Sequence, residues 1–145
     1  MVCCAQDALI DGGVAIDPQL VQQPLSSGYP NKGYREMKAL LALETPPTAV
    51  FAVSDRTALG AIRALREAGL QVPGDFSVVG FDDMPPNAYP PPALSTVTSE
   101  RIAMGCIAMQ RLHRIIKNPR YVPIQIVMPC ELVIRESSAL PRKRN

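Results

Sequence analysis

The residues best placed for chemistry are two short polar pairs, Ser54-Asp55 and Asp82-Asp83, each following an apolar run. The first run is Thr48-Ala49-Val50-Phe51-Ala52-Val53, and the second is Phe76-Ser77-Val78-Val79-Gly80-Phe81. Both read as strands with little polar alternation, the mark of strands covered on both faces inside a parallel sheet. Ligands of open α/β sheets bind beyond the carboxyl ends of the strands, where both pairs fall. A carboxylate there is acceptor-only and takes two hydrogen bonds from the hydroxyls of a polyol. If strand geometry persists through Asp82 and Asp83, their carboxylates point to opposite faces, which makes them a poor general acid/base pair. The same residues also suit plain structural duties. Ser54 or Asp55 caps the helix that follows, and Asp82 or Asp83 holds loop amides. Both uses are open at this level.

Other chemistry has little support. Neither G-x-x-x-x-G-K-[ST] nor G-x-G-x-x-G occurs, so no phosphate cradle or cofactor is indicated. The single His113 has no G-x-S-x-G elbow to serve and no cysteine at ligand spacing, which argues against an enzyme and against a metal site. The four cysteines, 3, 4, 106 and 130, form no C-x-x-C. Cys106 in a helical stretch and Cys130 in a strand-like one are expected to be reduced, buried, small hydrophobes. Fifteen Lys+Arg against thirteen Asp+Glu give a net charge of +2, too small to argue for nucleic acid or membrane binding.

The elements that must position the pairs alternate between helix and strand. The 145 residues allow one ordinary domain, and a 47% hydrophobic content supports a core. Ala5–Asp11 reads as a helix end stopped by Gly12-Gly13. Gln19–Gln23 reads as a weak strand, and Pro30–Leu43 as a helix with Tyr34, Met37, Leu40 and Leu41 at helical spacing. Apolar positions 58, 59, 62, 65 and 68 mark the face of a helix ended by Gly69 and Pro73. Residues 82–94 hold five prolines and form an irregular loop. Glu100–Lys117 is an amphipathic helix with Ile102, Cys106, Met109, Leu112 and Ile116 on its apolar side, and Ile124–Ile134 is strand-rich but broken at Pro129. This order predicts an α/β fold with a doubly wound, mostly parallel sheet. No run approaches the roughly 18 apolar residues of a membrane helix, and no secretory signal is evident at the start, which together point to the cytoplasm.

Four blocks in the same order carry a family resemblance. Thr48–Leu65 resembles the P-T-A-[IV]-F-[AC]-x-[NS]-D-x-x-A-x-G-x-x-x-A-L block of the lactose-repressor/galactose-repressor family. Gly69-Leu70-Gln71-Val72-Pro73-Gly74-Asp75, continuing through Ser77–Asp83, is similar to its G-x-x-[VI]-P-x-D-[IV]-S-[VI]-[VI]-G-F-D signature. Pro92–Val97 and Glu131–Ser138 resemble two further blocks.

The resemblance implies the carboxyl-terminal part of an effector-binding module with a type I periplasmic-binding-protein-like fold, truncated at its amino terminus. Two lobes of such a module close over a small effector, a sugar or a purine. It places Asp82 and Ser54 at effector contacts, with Asp55 beside them and Arg101 at the cleft rim, where an apolar or aromatic residue is commoner. It also implies a homodimer through Leu59, Ile62, Arg63 and Tyr89. DNA would be reached only indirectly, through a helix-turn-helix headpiece that this chain does not contain. An R-x-x-G-F motif would fall on Met1–Ala5, where its arginine is lacking. On this reading, residues 1–138 are a partial effector-binding domain, 97–122 resemble the segment that packs on the first lobe, and 139–145 are a basic tail. The alternative within the same fold is a periplasmic-type sugar-binding transport receptor.

Overall fold

A computed structural model describes residues 2–22 (side chains from Gln6 onward), 31–85, 91–118, 120 and 122–140. The order of elements is α1 (Val2–Asp11), a 3₁₀ turn (Pro18–Leu20), α2 (Asn31–Leu41), β1 (Ala49–Phe51), α3 (Asp55–Glu67), β2 (Ser77–Phe81), β3 (Ser95–Ser99), α4 (Arg101–Lys117) and β4 (Cys130–Val133). The strands form one sheet in the order β1-β2-β3-β4. The first three are parallel and β4 runs antiparallel to β3, pairing Ser99 with Cys130 and Thr96 with Val133. The mostly parallel α/β sheet agrees with the sequence reading.

Local chemistry accounts for the helix boundaries. Ser54 is extended and its hydroxyl accepts from the Thr57 amide, which caps α3. At the other end, Gly69 takes φ +76°; its amide donates to the Arg66 carbonyl and the Leu70 amide to the Leu65 carbonyl. That pair of bonds satisfies carbonyls a helix end would otherwise leave open. The end of α1 repeats the arrangement, with Gly13 at φ +70° and the Val14 amide on the Leu9 carbonyl.

The core lies between the sheet and the α2–α3 pair. Met37 and Leu40 from α2 meet Ala58, Ile62 and Leu65 from α3, with Phe76, Val78 and Leu94 on the sheet side. Gly33 lets α2 cross α3 closely, since a Cβ there would stand 1.9 Å from the Thr57 carbonyl oxygen.

Three expectations are corrected. The expected strand Gln19–Gln23 is not formed over its described part, Gln19–Gln22: Pro18–Leu20 turn as a 3₁₀ helix because the Asp17 carboxylate accepts from the Gln19 amide and Pro18 occupies the first position. The run 48–53 is not covered on both faces. Among the described residues β1 lies at the edge of the sheet, and Phe51 is 44% exposed because the helices pack on the opposite side. Cys106 and Cys130 are exposed rather than buried. The apolar side of α4 is uncovered: no residue of the helix is buried, and Ile102 is 84% exposed. β3, which the sequence reading did not assign as a strand, completes the sheet. Among the described residues, no helix is long and apolar enough to cross a membrane, and no cluster of His, Cys, Asp or Glu is suited to hold a metal.

Candidate functional site

β2 ends at Phe81, and strand geometry ends with it. Asp82 and Asp83 take φ of +114° and +46°, a region non-glycine residues visit seldom and aspartate more readily than most. The premise that their carboxylates alternate across a strand therefore fails. The two residues form a turned tip at the carboxyl edge of the sheet.

Seven contacts define this tip. The Asp82 amide donates to the Val97 carbonyl at 3.0 Å, extending the sheet by one bond. The Asp83 amide donates to Thr96 Oγ1 at 3.4 Å, and the Met84 amide to Asp55 Oδ2 at 2.8 Å. Thr96 Oγ1 in turn donates to Asp55 Oδ1 at 2.5 Å. Arg135 Nη2 is ion-paired with Asp83 Oδ1 at 2.6 Å, and both side chains are largely shielded. Arg101 Nη1 donates to the Asp82 carbonyl, and its Nη2 to the Asp83 carbonyl at 3.3 Å.

The expected site residues divide into two groups. Asp55 is 2% exposed, and both its oxygens are occupied, by Thr96 and Met84. Gly80 makes room for it: a Cβ there would stand 2.2 Å from Asp55 Oδ1. Ser54 is also buried, with its hydroxyl bonded to the Thr57 amide and paired with the Thr57 hydroxyl at 3.0 Å. Asp55 and Ser54 thus lie beneath the tip. Asp82 and Arg101 lie at the surface of it.

The Asp82 carboxylate accepts no hydrogen bond from the described residues. Burial pushes its pKa above the usual aspartate value, with the nearby Asp55 adding to the rise and the Arg101 and Arg56 guanidiniums opposing it. Asp82 is therefore an acceptor held at a strand end, flanked by two cations and committed to no internal partner. Such a group can receive hydroxyl donors from a small polar ligand.

The other expected contacts are dispersed. Ile62, read as a dimer contact, belongs to the core at 4% exposure and offers a partner almost no surface. Leu59 is half-buried, while Arg63 is exposed and pairs with Glu67 at 3.0 Å. Tyr89 and the basic tail at 141–145 lie outside the described residues. Thr96, Arg56 and Arg135 were not singled out from sequence. Thr96 and Arg135 lie within the third and fourth motif blocks, but their roles depend on partners 41 and 52 residues away.

Cavities are formed by described residues. A groove of about 330 Å³ runs between α4 and the 123–128 segment, lined by Met104, Ile107, Arg111, Ile115 and Ile124 among others. A smaller one of about 100 Å³ lies between β1 and α2. Asp82 lines neither of them.

Comparison with known proteins identifies the family and the fold. Residues 6–138 match the family model described as a periplasmic binding protein-like domain. The HTH-type transcriptional repressor PurR of Actinobacillus pleuropneumoniae serotype 3 (strain JL03) is 41% identical over 110 residues, covering 74% of this chain and 33% of the relative. The lactose operon repressor of Rhizobium radiobacter is 38% identical over 109 residues, covering 75% of this chain and 96% of the relative. Among solved structures, a transcriptional regulator CelR–cellobiose complex superposes with a TM-score of 0.81 at 31% identity, covering 92% of this chain and 40% of that one. A LacI-family regulator from Enterococcus faecium with bound ribose superposes at 0.72 and 27% identity, covering 92% and 49%. The chain spans about a third of the length of the PurR relatives it matches.

Proposed function

Because the chain belongs to the periplasmic-binding-protein-like family, among its LacI-type transcriptional repressors, we propose that it forms one wall of an interlobe cleft that senses a small effector and reports it to DNA through a DNA-binding headpiece. The observation that carries this reading is the Asp82 carboxylate. It is the one acid of the tip left without an internal hydrogen bond, at the strand end where α/β sheets take their ligands. Asp83 is neutralised by Arg135 and Asp55 is enclosed, so neither competes for a ligand.

In this reading, Asp82 accepts ligand hydroxyls, and Arg101 and Arg56 offer donors beside it. Ser54 and Asp55 act from below by fixing α3 and the tip. A sugar is the favoured effector class, with a purine second. Sugars are the ligands named for the cellobiose and ribose complexes among the similar structures. The second wall belongs to another lobe, against which segment 97–122 packs with its exposed face of Ile102, Met109 and Ile116. A homodimer would use the exposed outer surface of α3 around Leu59 and Arg63.

The test is a graft. This chain replaces the matching segment of the Actinobacillus relative, and operator binding is measured against a panel of saccharides and purines. The expected result is DNA affinity that changes with one class of small molecule and stops changing in Asp82→Ala. A grafted protein that binds operator but responds to no member of the panel contradicts the reading.

A further inference from the structure

The two arginines at the tip come from opposite ends of one ribbon. β3 and β4 are antiparallel, with Ser99 opposite Cys130 at one end and Thr96 opposite Val133 at the other. Arg101 follows the first end as the opening residue of α4. Arg135 follows the second end, where its amide donates to Ser95 Oγ at 2.9 Å and its Nη1 to the Leu94 carbonyl at 2.9 Å. Their guanidiniums converge on successive residues, Arg101 on the backbone of Asp82 and Asp83, and Arg135 on the Asp83 side chain.

The two grips differ in what holds them. Arg135 is anchored to the core. Two residues on, Ser137 is 0% exposed; its hydroxyl donates to the Val78 carbonyl at 2.6 Å and accepts from the Ser95 amide at 2.7 Å. Arg101 is the first residue of α4, which has no buried residue. The direction of α4 is therefore not set by the core, and Arg101 links that direction to the backbone of Asp82. A guanidinium suits this task because its fork donates to two acceptors at fixed geometry.

We propose that Arg101 is a positioning residue that passes the orientation of α4 to the Asp82–Asp83 tip, with Arg135 as the fixed half of the same clasp. The proposal rests on the reading that this tip meets the effector. A shift of α4 releases the two carbonyls, the tip loses one of its two grips, and the Asp82 carboxylate moves from its position at the strand end. Any element that docks on α4 thereby tunes the effector site, without touching it.

Backbone NMR of the full chain tests this. Three-bond amide–α couplings report φ at Asp82 and Asp83, and the Leu65 and Val78 amides report the core. Arg101→Met is expected to change the couplings and shifts at 82–84 and leave the core amides in place. Arg101→Lys, whose single ammonium cannot match the fork, should move them less in the same direction. Gly105→Pro disturbs the first turns of α4 by removing the bond to the Arg101 carbonyl. It should shift the tip in the parent and add nothing in the Arg101→Met background. Unchanged couplings in Arg101→Met, or an equal Gly105→Pro effect with and without Arg101, overturn the proposal. A tip that follows Arg101 but ignores excess D-ribose, D-glucose and purines in the lobe-completed graft keeps the clasp and overturns the ligand reading instead.

Discussion

Gly80→Ala should be among the most damaging single-methyl additions in this protein. A Cβ at position 80 would lie 2.2 Å from Asp55 Oδ1, 3.0 Å from Leu94 Cδ2 and 3.2 Å from Asp55 Cα. None of these neighbours can yield easily. Asp55 is 2% exposed and bonded to Thr96 and Met84, while Leu94 is in the core. Overpacking of this kind costs about 1–3 kcal/mol, and weakening a charge-assisted bond adds about 1.5–3 kcal/mol. The sum, about 2.5–6 kcal/mol, is a large share of the roughly 5–15 kcal/mol that holds a domain together. Urea unfolding followed by circular dichroism measures it, with Gly105→Ala as the control. Nothing lies within 4 Å of a Cβ at 105, so that change should stabilise α4 by about 0.5–1 kcal/mol. The tip should respond too, with the Met84 amide resonance moving as its acceptor is displaced. If Gly80→Ala matches the parent within about 0.5 kcal/mol, the enclosed Asp55 latch is wrong.

Three further outcomes follow from the same structure. Asp82→Asn should raise stability at neutral pH relative to the parent. The folded carboxyl has a raised pKa, so its contribution is fully present below the ordinary aspartate range and is lost as pH rises through the raised value. Asparagine never ionises, and the two unfolding midpoints should converge in acid and separate toward neutrality. Tyr34→Phe should move the Glu67 titration upward in carbon-detected NMR, because the Tyr34 hydroxyl at 2.5 Å is the largest cause of its lowered pKa, ahead of Arg63. Lysine at Ile102, Met109 and Ile116 together should abolish concentration-dependent association in sedimentation velocity, since these side chains are 84%, 65% and 70% exposed. A parent chain that stays monomeric across the same concentrations refutes that statement.

The parts readable from sequence were those in which local chemistry and tertiary packing agree. α3 has its cap at Ser54, its apolar stripe and its stop at Gly69 within one stretch, and each was visible. β2 was visible for the same reason. β1 was half read: its apolar run gave a strand, but its place at the sheet edge depends on which strands pair with it. Asp17-Pro18 signals a helical turn that competes with the weak strand pattern after it, and the polar run Ser95-Thr96-Val97-Thr98-Ser99 hides β3. The position of the tip could be read from strand ends and motif order. Its construction could not, because Thr96, Arg101 and Arg135 reach it from separate segments. The burial of Asp55 had one trace in the sequence, the glycine at 80, which becomes meaningful only once β2 and α3 are packed together.

The most direct test of the account is calorimetry on the chain joined to the amino-terminal lobe of a relative, titrated with the same saccharide and purine panel. Saturable binding of one class, at least tenfold weaker in Asp82→Ala (about 1.4 kcal/mol) and little changed in Arg63→Ala, is the predicted result. Equal binding with and without the Asp82 carboxylate would contradict it.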